Sequence, residues 1–258
     1  RQEENEKSKT QDAEMEIASD FQKKFFKVEI PQSEHFSFNL THQHARELLF
    51  GGDYYDIIPF INEKYMLLLG DVAGHGLKAS FLAAILKSIS ISEYLNQKRA
   101  LPSSPGAFLS WLNNKFYKIL NRTPDLFLAF SACYLDGNRG TVTIANGGQP
   151  PPLLATEGRI IETCQPQIAL GVEDDYRYSE VTFQLNPGDL VFMCTDGIYP
   201  NMSESSALDK ELFYELLQKM RTTGEGPDLM VNALGTDKKN ILYADDITIM
   251  SAQFNFPE

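Results

Sequence analysis

Apolar and polar positions follow two periods along this chain. From Arg1 to Lys24 charge of both signs is dense, Gly and Pro are absent, and Met15, Ala18, Phe21 and Phe25 recur at helical spacing. This spacing predicts one amphipathic helix with a frayed start. It divides the chain into an amino-terminal connector or regulatory helix, 1–27, and a folded domain, 28–258. The stripe covers only about three turns, so a short coiled-coil half and a helix packed on its own domain are equal readings. After Pro31 the period becomes two: Phe36, Phe38 and Leu40 alternate with polar residues, as on a half-buried strand. Tyr65 to Leu69 is a second strand that runs directly into Gly70-Asp71.

Helical periodicity returns from Leu77 to about Asn96, with Phe81, Ile85 and Ile89 beside Leu82 and Leu86. A further helix starts with Ser104 as cap and Pro105 at its first position. It runs to Leu120 with Phe108, Leu112, Phe116 and Ile119 on one face. Short strands follow at Leu126 to Leu135, Thr141 to Ala145, Leu153 to Ala155, Ile160 to Glu162, Tyr178 to Leu185 and Leu190 to Cys194. Asp136-Gly137, Glu157-Gly158 and Pro187-Gly188-Asp189 mark the turns of antiparallel hairpins. Helical patterns at Ser206 to Met220 and Pro227 to Leu234 precede a last strand, Ile247 to Met250. The order alone fixes an α+β class, and it favours two central antiparallel sheets covered by helices.

Composition narrows the partners. With 23 Lys and Arg against 35 Asp and Glu the formal charge is −12, which disfavours nucleic-acid phosphates or an anionic membrane surface. Metal cations and basic protein surfaces stay open. No apolar run approaches the roughly 20 residues that span a bilayer. Cys133, Cys164 and Cys194 are scattered and odd in number, which suits buried thiols in a reduced, cytoplasmic compartment. The sequence begins at Arg1 without a signal-peptide pattern. It reads as a fragment of a longer protein, with the cytoplasmic part of a membrane-anchored sensor as one option.

Candidate chemistry lies in four acidic residues at strand ends or turns: Asp53 in Gly51-Gly52-Asp53, Asp71 in Gly70-Asp71-Val72-Ala73-Gly74-His75-Gly76, Asp196 in Thr195-Asp196-Gly197, and Asp245 in Asp245-Asp246-Ile247-Thr248. Singly, each is a common turn or cap residue. Together they suggest carboxylates converging on one point, where hard divalent cations such as Mg²⁺ or Mn²⁺ would offset their repulsion. Two such ions, a few ångströms apart, are a known solution for in-line attack on a phosphate. No Walker loop fits Gly74 to Ser80, because Leu77 and Ala79 interrupt any Gly-Lys-Ser/Thr run. No cysteine sits in a phosphate-cradling CxxxxxR loop, so direct hydrolysis suits this chain better than a phospho-enzyme.

In this order, Gly51 to Asp56, Gly70 to Ser80, Asn146-Gly147-Gly148-Gln149-Pro150-Pro151, Pro187-Gly188-Asp189 with Thr195-Asp196-Gly197, and Asp245 to Thr248 closely resemble the bacterial SpoIIE/RsbU branch of the PP2C-type (PPM) serine/threonine phosphatases. The resemblance covers about Ala18 to Phe254. It implies an αββα sandwich with two Mn²⁺ or Mg²⁺ ions at one edge of the sheets. It also implies removal of phosphate, through a metal-bound water, from phosphoserine or phosphothreonine on a STAS-type partner. Motif by motif, Asp71 would bridge both ions and the Val72 carbonyl would join one. Asp53, Asp196 and Asp245 would add carboxylates, with Asp246 the alternative to Asp245, and Asp56 would hold an outer-sphere water. His75 is the candidate acid for the leaving alkoxide, against a histidine that only hydrogen-bonds the loop.

Two departures stand out. The family usually has a histidine where this chain has Gln149, and an acidic residue three positions beyond Thr195-Asp196-Gly197, where Ile198-Tyr199-Pro200-Asn201 stands. They motivate a second reading, a pseudophosphatase that binds a partner without turnover. A metal-dependent nuclease is disfavoured by the charge of −12. Regulation is expected from an upstream sensor through the amino-terminal helix, by dimerising or repacking it.

Overall fold

The computed structural model describes residues 17, 20, 22, 24–43, 51–74, 76–91, 104–120, 126–199, 210–233 and 246–255. Ten strands and four α-helices occur among them. They are β1 (Phe36–Gln43), β2 (Asp53–Phe60), β3 (Lys64–Val72), α1 (Leu77–Ile85), α2 (Pro105–Leu120), β4 (Leu128–Asp136), β5 (Thr141–Gly147), β6 (Leu153–Thr156), β7 (Arg159–Glu162), β8 (Val181–Gln184), β9 (Leu190–Cys194), α3 (Lys210–Thr223), α4 (Asp228–Ala233) and β10 (Ile247–Phe254). The strands form two five-stranded sheets in the orders β1-β10-β9-β6-β7 and β2-β3-β4-β5-β8, with every named pairing antiparallel.

Three apolar layers explain the stacking. Leu67, Leu69, Cys133, Ile144, Val191, Met193, Met250 and Ala252 fill the space between the sheets. On the outer face of the second sheet, Met66, Leu68, Phe130 and Ala132 meet Ala83, Phe108, Leu112 and Phe116 of α1 and α2. On the outer face of the first, Phe192, Ile247 and Ile249 meet Phe213, Leu217 and Met220 of α3 and Met230 of α4. Each central strand therefore buries both faces, with odd and even positions serving different layers. The result is the expected αββα sandwich.

Local chemistry sets the element ends. Ser104 Oγ accepts the Ala107 N–H at 3.1 Å, the expected cap. Glu180 extends it, because its Oε2 accepts from the Gly106 N–H at 2.9 Å and from the Ser104 hydroxyl at 2.7 Å. A carboxylate at this end also complements the helix dipole. In α2 the buried row continues to Leu120, while Ile119 is exposed, a one-position correction to the expected face. The expected Leu77 to Asn96 helix is α1 followed by a π-helical segment, Leu86–Ile91, and 92–96 lie outside the described residues. Its core row is Ala79, Ala83 and Leu86, with Phe81 turned outward. Small residues let α1 approach the sheet: a Cβ on Gly52 would stand 3.2 Å from that of Ala79.

Of the amino-terminal stripe, Phe25 is described and Met15, Ala18 and Phe21 are not. Phe26 is buried in the helix-side core with Phe25 packed beside it. Lys87 Nζ stands 5.6 Å from the Phe26 ring centroid, and Gln22 Nε2 donates to the Gly51 carbonyl at 3.0 Å. The end of the expected connector thus packs on its own domain beside the Gly51-Gly52-Asp53 motif. Among the described residues no helix is long and apolar enough to cross a membrane.

Candidate metal centre between the sheets

Following strand parity from the inter-sheet core to its end locates the polar cluster. On β3 the inward positions Tyr65, Leu67 and Leu69 lead to Asp71, and on β2 Ile57 and Tyr55 lead to Asp53. Asp53 and Asp71 are register partners, so both carboxylates stand on the same sheet face, facing the first sheet. From that sheet, Met250 leads back to Thr248 and Asp246, Met193 leads to Thr195, and Leu40 leads to His42. Core periodicity is thus continued in polar residues where the two sheets end together.

Asp53 is 5% exposed and Asp246 3%. Asp53 Oδ2 accepts from the Thr248 hydroxyl at 2.5 Å, with the Thr195 hydroxyl 3.5 Å away. The Thr248 N–H donates to Thr195 Oγ1 at 2.9 Å, and His42 Nδ1 lies 2.8 Å from Thr248 Oγ1. Burial lifts the Tyr55 phenol far above its ordinary range, and the charges of Asp53 and Asp246 lift it further. Tyr55 therefore stands neutral beside the two carboxylates.

The other motifs converge on the same end. A Cβ on Gly52 would stand 3.2 Å from the Val72 carbonyl oxygen and 3.4 Å from Asp71 Oδ1. The backbone there leaves a small cradle with two hard oxygen donors on its wall. Asp196 follows Thr195 in the turn after β9, partly exposed. Gly197 lets that turn close, since a Cβ there would lie 2.6 Å from the Asp246 carbonyl oxygen. Among the described residues no three His, Cys, Asp or Glu side chains form a ready-made cage for a metal. The oxygen donors at this end of the sheets, among the described residues, are the Asp53 and Asp71 pair, the Val72 carbonyl, Asp196 and Asp246. Their all-oxygen character fits Mg²⁺ or Mn²⁺ and does not fit a thiolate or imidazole metal. Asp245 and His75 lie outside the described residues.

Asp56 and Gln149 are held by contacts of their own. Asp56 has the opposite parity to Asp53, Tyr55 and Ile57, on the helix-side face of β2. It accepts from the Tyr54 hydroxyl at 3.3 Å, and its Oδ2 lies 3.6 Å from Lys87 Nζ. It takes part in the packing of the π-helical segment on β2. Gln149 is 1% exposed and built into the floor. Its side-chain amide donates to the Ala129 carbonyl at 3.2 Å, and its N–H donates to Asn146 Oδ1 at 3.0 Å. Asn146 Nδ2 returns a bond to the Gln149 carbonyl at 2.9 Å, and Ser131 Oγ donates to Asn146 Oδ1 at 3.0 Å. Ala129 is the register partner of Asp71, so this loop braces the strand beside that carboxylate.

The second departure also has a structural role. Tyr199 donates to Glu162 Oε1 at 3.3 Å and Tyr214 of α3 donates to the same oxygen at 3.2 Å, tying the segment after Asp196 to β7 and α3. All three cysteines are free. Burial raises the Cys133, Cys164 and Cys194 thiols, and the Asp196 charge raises Cys194 further. None has the depressed pKa of a thiolate nucleophile.

Site residues that sequence reasoning passed over are His42, Tyr55, Thr195 and Thr248. The signal was parity: each continues, on its own strand, the alternate positions that fill the core between the sheets.

Comparison with known proteins agrees with this geometry. The family model described as stage II sporulation protein E (SpoIIE) matches residues 62–255. The chain is 21% identical over 211 residues to the phosphoserine phosphatase RsbU of Bacillus subtilis (strain 168), a match covering 80% of this chain. It spans 59% of that relative's length. Among solved structures, the SiaA-PP2C domain of Pseudomonas aeruginosa superposes with a TM-score of 0.74 at 20% identity, covering 96% of this chain and 98% of the other. The catalytic domain of the phosphatase PstP in complex with 2 manganese ions gives a TM-score of 0.60 at 15% identity, covering 86% and 99%. The two antiparallel sheets and their helical covers are the fold these structures share. With the ordered motifs on that fold and the family match over most of its length, this chain belongs to the SpoIIE family of PP2C-type phosphatases.

Proposed function

We propose that this domain is a metal-dependent protein phosphatase that hydrolyses phosphoserine or phosphothreonine on a partner protein, a small STAS-type regulator. The observation that carries the reading is the register pair Asp53 and Asp71 at the end of the inter-sheet layer, beside a cradle walled by the Val72 carbonyl. Asp53, Asp71, Asp196 and Asp245, with Asp246 as the alternative to its neighbour, would hold two Mn²⁺ or Mg²⁺ ions. When bound, these ions neutralise phosphate charge and activate the attacking water. The chain's own contribution is placement. β2 and β3 fix two carboxylates on one face, Gly52 lets the backbone close in, and Gln149 braces the strand opposite Asp71. His75 would donate the proton to the leaving alkoxide. Gln149 acts as a scaffold for the strand beside Asp71, which gives a structural account of one of the two departures behind the reading as a binding module without turnover. A cytoplasmic setting and control from an upstream sensor through the helix ending at Phe26 complete the proposal.

The test is turnover of p-nitrophenyl phosphate and of a phosphorylated STAS protein with Mn²⁺, for the wild type and Asp71→Asn. The expected result is Mn²⁺-dependent release of phosphate that Asp71→Asn reduces by at least about 100-fold, the scale of a lost metal-ion contribution to charge stabilisation. Absence of turnover on both substrates by a folded, Mn²⁺-loaded wild type would overturn the proposal.

A further inference from the structure

The Asp53 carboxylate belongs to the second sheet, but the groups that fix its orientation belong to the first. Thr248 stands in β10 and His42 is its direct register partner in β1. The Thr248 hydroxyl donates to Asp53 Oδ2 at 2.5 Å, within the range of a charge-assisted O–H···O bond. An ionised carboxylate only accepts, so the single hydroxyl hydrogen of Thr248 is committed to Asp53. The 2.8 Å contact between Thr248 Oγ1 and His42 Nδ1 must then run from an Nδ1–H of His42 to the Thr248 oxygen. This fixes the hydrogen position on the imidazole. The His42 ring also packs on Tyr55, with centroids 4.8 Å apart, and Tyr55 is two residues from Asp53 on the same face of β2. Two parallel contacts, one polar and one aromatic, thus clasp β2 at the end of its sheet to the facing pair β1 and β10.

We propose that His42 and Thr248 are positioning residues for the metal centre: a relay across the two sheets that locks the rotation of the Asp53 carboxylate so that it is presented to a cation before one binds. The inference rests on the proposed metal site and adds its supporting pair. Thr195 steadies the relay from the adjacent strand, its Oγ1 accepting the Thr248 N–H. Neither Thr248 nor His42 needs to touch an ion or the phosphate. Groups that orient a ligand typically alter metal affinity by about 10–100-fold when removed.

Calorimetric titration with Mn²⁺, and electron paramagnetic resonance of the bound ion, test the relay on the purified chain. Thermal unfolding in a chelator reports folding independently of metal. Thr248→Val keeps the shape and removes the hydroxyl, and it is expected to weaken Mn²⁺ binding by about 10–100-fold. Thr248→Ser restores the hydroxyl and is expected to bind within about threefold of wild type. His42→Phe keeps an aromatic ring against Tyr55 but has no N–H. It is expected to weaken binding several-fold, and it decides the matter alone if Thr248→Val fails to fold. Wild-type affinity in Thr248→Val, alongside loss of binding in Asp53→Asn, would overturn the relay while leaving the metal site standing. So would equal losses in the valine and serine variants, which would assign the effect to packing. Mn²⁺ binding unaffected by Asp53→Asn and Asp71→Asn together would overturn the site, and the relay with it.

Discussion

Gly70 sits next to the pivotal Asp71, and substituting it tests whether packing around the site is as tight as described. On β3 its register partners are Tyr54 on β2 and Phe130 on β4, and both rings are 0% exposed. They stack across the glycine with centroids 5.6 Å apart and planes at 27°. In Gly70→Ala the new Cβ would stand 2.4 Å and 2.7 Å from two ring carbons of Phe130, whereas carbon contacts are comfortable at about 3.5–4.0 Å. The ring must retreat by roughly an ångström within a packed layer that also holds the buried Phe108 ring, 6.1 Å away by centroid. Two effects oppose each other. Replacing a strand glycine favours folding by about 0.5–1 kcal/mol through backbone entropy, and the backbone of Gly70 lies outside the positive-φ region, so no strain offsets that gain. Overpacking a full core costs about 1–3 kcal/mol. Taken at the middle of the two ranges the clash wins, for a net loss of about 1 kcal/mol, or a fall in Tm of about 2–4 °C at this chain length. Chelated protein is to be unfolded by urea and by heat, beside the double variant Gly70→Ala/Phe130→Leu. The branched side chain vacates the ring edge, so the double variant should show a positive coupling with the alanine. A Gly70→Ala protein as stable as wild type, or additive losses in the double variant, would refute the packing argument.

Other expectations can be checked with the same material. Asp56→Asn should leave Mn²⁺ affinity unchanged, because Asp56 serves Tyr54 and Lys87 on the helix side; a tenfold loss of affinity in calorimetry would return it to the metal centre. Asn113 is fully buried, and its side chain bonds the Glu173 carbonyl and the Gly171 N–H, each at 2.8 Å. Asn113→Ala should cost about 2–4 kcal/mol in urea unfolding by orphaning both groups. Burial alone would raise the Glu63 carboxyl, but bonds from Ser33, the Glu34 N–H and His35 outweigh it and hold it below its ordinary value of 4.5. Its contribution is therefore present above about pH 4.5 and lost as the pH falls through the lower folded value. Glu63→Gln should flatten the acid limb of a stability-against-pH curve, and an unchanged limb would remove Glu63 from that role.

What the chain discloses about itself depends on how many faces an element buries. β1, with Phe36, Phe38 and Leu40 alternating, was legible, as was α2, whose cap and proline mark its start. β2 was missed. Both its faces are covered, so Tyr54, Tyr55, Ile57 and Ile58 show no alternation, and Pro59 argues against a strand. The sheet order resolves this, since β2 is an edge strand, where a residue without an N–H is tolerated. Asp53 consequently read as a turn residue, when it begins a strand whose inward positions it shares with Asp71.

The same distinction separates the legible part of the site from the hidden part. Aspartates next to glycines announce themselves as an ordered set, since each alone is a common turn or cap residue. The threonine and histidine that orient one of them are ordinary strand residues; Thr248 closes the Asp245-Asp246-Ile247-Thr248 motif, but no local spacing assigns a role to it or to His42. Their role arises only when two sheets stack with His42, Thr248 and Asp53 at the same depth, which depends on pairings over 195 and 206 positions of sequence. Local pattern specifies which face a side chain takes, and the stacking of faces decides what it meets. An inter-sheet layer that is apolar for most of its length and then ends in acid and hydroxyl groups has two consequences. The dry core holds the two sheets at a fixed separation, and that separation sets the reach of the Thr248 hydroxyl to Asp53. Loosening the core near Met193 or Met250 should therefore weaken metal binding by a route that touches no ligand.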